Sequence, residues 1–277
     1  MKINDRISDS ISKYTCYTDK SQIMKIIIDP IGYLEGLKNS NHFTITESFI
    51  YYEKIFVKYM EYIVDMFKQG YYNYYNCPNR LGSVLYRAMS ENEFNNTNNY
   101  LEVKNFYSTF NNYPAARNYI LDNYEDVFKD NHYIVEYHLN GILPFIDVSV
   151  DSGNCYERGE IILLPNFSIN NIEILDTQSY YKTIHNVSAE ITPIQIEKYN
   201  IKDIYLKMQD YYIDIVEGLY NNGTLIHRYL NQDNINLRED DEFIEWANKL
   251  SEYIRLINIS QHYIMSTEDP KTLKKKL

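Results

Sequence analysis

The sequence predicts an α+β fold, with a core of two packed antiparallel β-sheets from about residue 81 to 180 and a helical region on either side, 1–80 and 181–277. Three observations predict it. Apolar residues recur at three- and four-residue spacing through the first 80 positions. From residue 81 the texture changes to short runs of β-branched and aromatic residues separated by Asn, Pro and Gly. After Pro193 the helical period returns.

In chain order, Thr44 and Glu47 form a capping pair before Tyr52, Ile55, Phe56, Tyr59, Met60, Ile63, Met66 and Phe67, one apolar face that ends at Gly70. This is a buried amphipathic helix of about five turns. Strands are expected at 83–88, 105–109, 133–139, 144–150, 159–164 and 169–175, with a helix over 114–120. Turn signals come too often for parallel crossovers, which need a dozen or more residues, so antiparallel pairing is expected. Beyond the strands, Ile204, Met208, Tyr211, Ile215 and Leu219 share a helix face before Gly223. A second helix, opened by Asp240 or Asp241, carries Phe243, Trp246, Leu250, Tyr253 and Ile257.

A net charge of −11 argues against a broad electrostatic grip on nucleic acid. Lys271, Lys274, Lys275 and Lys276 at the C-terminus read as a solvated tail. Cys16, Cys77 and Cys155 lie far apart without a CxxC pair, and the histidines are scattered, so neither a disulfide framework nor a metal site is expected. No apolar run approaches the ~20 residues that span a bilayer, and the polar start MKINDRISDS lacks a signal-peptide core. The expectation is a cytoplasmic chain without a membrane partner. The tyrosine clusters, such as Tyr71, Tyr72, Tyr74 and Tyr75, read as half-buried packing residues.

Three places carry chemistry. Arg87 sits inside the apolar run LYRAM, and a buried guanidinium needs either a carboxylate of the chain or an anionic ligand. Ser108 and Thr109 end a strand just before a helix with Ala115 and Ala116, where hydroxyls can orient a neighbour or serve as turn residues. In YERGEIILLP, Glu157, Arg158 and Glu160 stand at the mouth of a core strand, either as its solvated end or as a pocket carboxylate.

Their order and spacing resemble the arginine, Ser-Thr-Ser, glutamate class of NAD-dependent ADP-ribosyltransferases, the bacterial toxin and exoenzyme family. Arg87 matches the arginine of the first core strand, Ser108 and Thr109 with the following AAR helix match the second motif, and Glu160 before Ile-Ile-Leu-Leu-Pro matches the third. The resemblance covers 81 to about 180. It departs in three ways: Phe110 replaces the second serine, Arg158 stands where Glu or Gln is usual, and one extra residue separates Glu160 from the proline.

The resemblance implies a glycosyl-transfer enzyme, toxin- or effector-like, that cleaves NAD as its substrate and moves ADP-ribose to a macromolecular acceptor without a metal. Catalysis would fall to Glu160, Ser108 and Arg87, and NAD binding to Arg87, Ser108 and Thr109. Acceptor recognition would fall to Arg158 and Glu157, and the acidic chain favours a protein acceptor over nucleic acid. The alternative is a catalytically inactive NAD- or ADP-ribose-binding or protein-interaction module on the same fold.

Overall fold

The computed structural model describes residues 5–15, 17–39, 45–97, 101–123, 131–151, 159–179, 183–196, 200–220, 228–229 and 235–267. Thr44, Cys16, Cys155, Glu157, Arg158, Gly223 and the C-terminal lysines lie outside them. The chain divides into two compact units, one built chiefly on Gln69–Ile196 and the other on Asp9–Lys68 with Glu197–Thr272.

The second unit is helical. It comprises α1 (Asp5–Thr15) in large part, α2 (Tyr17–Ile28), α3 (Pro30–Asn39), most of α4 (Ile45–Asn76), α8 (Ile201–Tyr220) and α9 (Asp241–Thr267). Asp240 caps α9, its Oδ1 accepting from the backbone N–H of Glu242 at 3.0 Å and of Phe243 at 3.4 Å. On the face the spacing predicts, Phe243, Trp246, Leu250 and Ile257 are buried, with Ile254 beside a half-buried Tyr253. The Trp246 indole donates to the carbonyl of Ile215 at 3.4 Å and packs 6.4 Å from Phe56.

The first unit holds β1 (Val84–Ser90), α5 (Glu91–Asn96), β2 (Leu101–Val103), β3 (Tyr107–Phe110), α6 (Tyr113–Asn123) and β4 (His132–Leu139). It continues with β5 (Phe145–Asp147), α7 (Val148–Asp151), β6 (Glu160–Leu163), β7 (Phe167–Ser179) and β8 (Thr183–Pro193). An α+β core flanked by helices is therefore present. Its eight strands form one hydrogen-bonded succession, β2-β7-β8-β4-β1-β3-β6-β5, where two sheets were expected. The succession narrows at β1 and β3, which share the single register pair Tyr86↔Phe110. On one side stand β2, β7, β8, β4 and β1, and on the other β3, β6 and β5. Side chains of both sides meet in one core: Leu85, Met89, Val135 and Tyr137 from the first, Tyr107, Phe145, Ile161 and Leu163 from the second.

Pairing is antiparallel except between β4 and β8, where His132 to Leu139 run parallel to Ile184 to Ile191. The sequence reading missed β8 because its buried residues, Ile184, Val187, Ala189 and Ile191, break strict alternation. The expected strand 144–150 ends early. Asp147 Oδ1 accepts from Ser149 Oγ at 2.8 Å and the N–H of Val150 at 3.3 Å, and so turns the chain into α7. Gly70 does not end α4. A Cβ there would stand 2.3 Å from Leu164 Cδ1, so the glycine serves close packing of the helix on the chain after β6.

Candidate functional site

Along β1, Leu85 and Met89 are fully buried, and alternation sends Arg87 to the same face. Its guanidinium carbon lies 4.1 Å from the centroid of the Tyr107 ring, and the Tyr107 and Tyr137 hydroxyls meet at 2.7 Å. The Arg87 Nε donates to Glu93 Oε1 at 3.2 Å, Nη2 donates to the same oxygen, and Nη1 donates to the Ser108 carbonyl. Burial pulls the Arg87 pKa down, but Tyr107 and Glu93 more than offset it and leave the pKa raised, so the cation is secure. Burial pushes both phenols up, and they stay protonated donors.

Glu93 reaches Arg87 because of how β1 ends. Ser90 is extended, and its Oγ accepts from the N–H of Glu93 at 3.2 Å, which caps α5 and places Glu93 at the third helical position. The S-x-x-E spacing is visible in the sequence and is the signal that would have found this residue.

The pairing of β3 with β6 arranges the other two motifs. Ser108 lies opposite Ile162, Thr109 opposite Ile161 and Phe110 opposite Glu160, so Ser108 and Glu160 are diagonal neighbours on one face. Glu160 is 6% exposed and Ser108 half-buried. Thr109 points to the other face, where its fully buried hydroxyl donates to the Ile161 carbonyl at 2.8 Å. Where β1 and β3 stop pairing, the Ser108 carbonyl accepts from the side chain of Arg87.

The turn before Glu160 is tightly specified. Gly159 has φ +94°, and its carbonyl accepts from the N–H of Asn111 at 2.8 Å. An added Cβ would stand 2.6 Å from Asn111 Oδ1 and 2.9 Å from Asn112 Nδ2. Asn112 Oδ1 also accepts from the N–H of Ala115 at 2.9 Å and so caps α6. One Asn-Asn pair thus joins the end of β3, the start of α6 and the approach to Glu160.

A second polar cluster holds the end of β5, the edge strand beside β6. Asp151 is 3% exposed, and its Oδ2 accepts from Asn73 Nδ2 at 2.6 Å and from the N–H of Asp147 at 2.9 Å. Its Oδ1 accepts from Arg80 Nη2 at 3.1 Å, which also pairs with Asp147 at 3.3 Å. Burial raises the Asp151 pKa, against the opposing pull of Arg80 and Asn73. Asp147 faces Ile161, the residue after Glu160, across the β5–β6 ladder. Nothing in the sequence reading pointed to this cluster, because it joins residues 71 to 78 positions apart.

Arg87, Ser108, Thr109 and Glu160 therefore lie on three strands in adjoining ladders. Glu157 and Arg158 lie outside the described residues. Among the described residues no group of His, Cys, Asp and Glu is arranged to hold a metal, and no helix is long and apolar enough to cross a membrane.

No known family's sequence profile matches the chain, and no curated protein does. Similar solved structures are ADP-ribosyltransferases. One is the Vis toxin from Vibrio splendidus, at 12% identity over 66% of this chain and 81% of that one, TM-score 0.30. Another is BECa, an ADP-ribosylating toxin of a binary enterotoxin of C. perfringens, solved with NADH, at 14% identity over 91% of this chain and 60% of that one, TM-score 0.40. A third is Vis in complex with agmatine, at 12% identity over 67% and 83%, TM-score 0.31.

Proposed function

We propose that the chain is a mono-ADP-ribosyltransferase that cleaves NAD and transfers ADP-ribose to a macromolecular acceptor, with a protein favoured over nucleic acid by the net charge of −11. The observation that carries the reading is the β3–β6 register, which sets Ser108 and Glu160 on one face while the Ser108 carbonyl holds the Arg87 guanidinium.

In this reading Arg87 binds the diphosphate of NAD through its planar fork. The bond between ribose C1 and the nicotinamide nitrogen breaks, and nicotinamide leaves with the electron pair. Positive charge develops at the ribose. Glu160 hydrogen-bonds a ribose hydroxyl and stabilises that charge from a site nearly closed to water, where a carboxylate acts strongly. Ser108 steadies Glu160 along their shared face, while Thr109 holds the β3–β6 pair together. A lone pair of the acceptor then bonds to C1, and its proton passes to solvent. Arg158 and Glu157, just upstream of Glu160, are assigned to acceptor choice.

The test is incubation with labelled NAD and a cell lysate, following label into protein, RNA, DNA or free ADP-ribose. Glu160→Gln removes charge with little change of volume, and transfer should fall a hundredfold or more, about 3 kcal/mol in transition-state stabilisation, with the thermal midpoint kept. Full activity in this variant would end the assignment.

A second reading, a catalytically inactive NAD- or ADP-ribose-binding or protein-interaction module on the same fold, is favoured by the two altered motif positions, Phe110 in place of the second serine and Arg158 in place of Glu or Gln. NAD binding without release of nicotinamide would select it.

A further inference from the structure

We propose that Glu93 is a built-in competitor for the substrate's anionic group: the diphosphate of NAD has to take its place on Arg87, and Glu93 thereby sets the affinity of this chain for dinucleotide. This inference rests on the reading of Arg87 as the diphosphate ligand.

The geometry points there in three ways. Glu93 takes the edge of the guanidinium formed by Nε and Nη2, the edge that engages a phosphate with two parallel bonds. The remaining contacts of Arg87, the Ser108 carbonyl and the Tyr107 face, do not involve Glu93 and fix the guanidinium plane whether or not the carboxylate is present. Glu93 is also the more exposed partner, at 37% against 20% for the Arg87 side chain, so water can receive it when it leaves. Its release does not unravel α5, because the Ser90 cap binds the backbone N–H of Glu93 and not its carboxylate.

The charges set the direction of the exchange. One carboxylate oxygen neutralises Arg87 in the absence of substrate, and a diphosphate brings more charge and more acceptor oxygens to the same edge. Whether Glu93 swings away or stays nearby, its negative charge opposes the incoming anion. Removing that charge should therefore tighten binding, whereas binding would weaken if Glu93 served to aim Arg87.

Binding of NAD, and separately of inorganic pyrophosphate, is measured by calorimetry on the whole chain and on Glu93→Gln, Glu93→Ala and Arg87→Ala, with circular dichroism to confirm that each is folded. Glu93→Gln and Glu93→Ala are expected to bind both probes about three- to tenfold more tightly, a gain of the size expected for one partly screened charge. Arg87→Ala should lose pyrophosphate and weaken NAD. Weaker or unchanged binding in both Glu93 variants, with Arg87→Ala still defective, overturns the competitor role and leaves the diphosphate role of Arg87 standing. Wild-type affinity in Arg87→Ala overturns both.

Discussion

Gly159 shows how much a single residue constrains the approach to Glu160. Its φ of +94° is strained for any L side chain, and an added methyl would press on Asn111 and Asn112. Gly159→Ala is expected to cost about 1–3 kcal/mol of stability. It should also lower the turnover of NAD more than folding loss explains, because the strain is released by moving Glu160 or the Asn pair. A thermal melt alongside single-turnover nicotinamide release separates the two effects, and an unshifted melt with full turnover would count against the strain. Arg87 and Glu160 stood out in the sequence because charge inside or beside an apolar run demands an explanation, and the structure shows both in the strand core, Arg87 paired and Glu160 buried. Glu93 carried only the S-x-x-E spacing as a signal, and that spacing points to Arg87 only once β1 is known to end at Ser90 and to start a helix there. The choice left open for Arg87, chain carboxylate or outside anion, resolves in this structure to Glu93, with the outside anion as the proposed exchange partner.

Among elements, long amphipathic helices and the central strands were the most legible, because their apolar periods run over many residues. From Phe56 to Phe67 the stripe on α4 is buried as the spacing predicts, as is most of that on α9, and β1, β3, β4 and β6 fall within about two residues of expectation. Short elements were lost. α5 and β2 are too brief to show a period, and α7 is set by the side chain of Asp147 and not by any pattern. The corner from β5 to α7 carries its own prediction. Asp151 receives three donors, from Asn73, Arg80 and the backbone of Asp147, and an asparagine offers one oxygen where the carboxylate offers two. Asp151→Asn should cost about 2–4 kcal/mol, read as a lowered midpoint in urea. The wild-type folded pKa of Asp151 is raised by burial, so between its ordinary value and the raised one the folded state holds the extra proton. Its contribution to stability is then greatest on the acid side and declines as pH rises through that window. The asparagine variant lacks this slope, so its deficit should shrink as pH is raised from about 4 towards neutrality.

For the whole molecule, fold class was readable, but the parallel β4–β8 pair was not: it depends on strands some fifty residues apart, beyond any local pattern. The narrow join at Tyr86↔Phe110 was hidden as well, because a single register pair between separate strands leaves no local pattern. Net charge is a whole-molecule property, and at −11 the folded chain repels itself. Raising ionic strength from about 0.01 M to about 0.15 M shortens the screening length from about 30 Å to about 8 Å, and the melting temperature should rise. A melting temperature that falls on adding salt would show that specific ion pairs such as Arg80 with Asp151 outweigh the repulsion. The chain has thirty tyrosines but a single tryptophan, and that tryptophan is the buried Trp246 of α9, in the helical unit. Light at the red edge of aromatic absorption, where tyrosine is transparent, therefore excites one site alone. The protein carries a native optical probe that reports on its helices while the strand unit, which holds the proposed chemistry, stays dark.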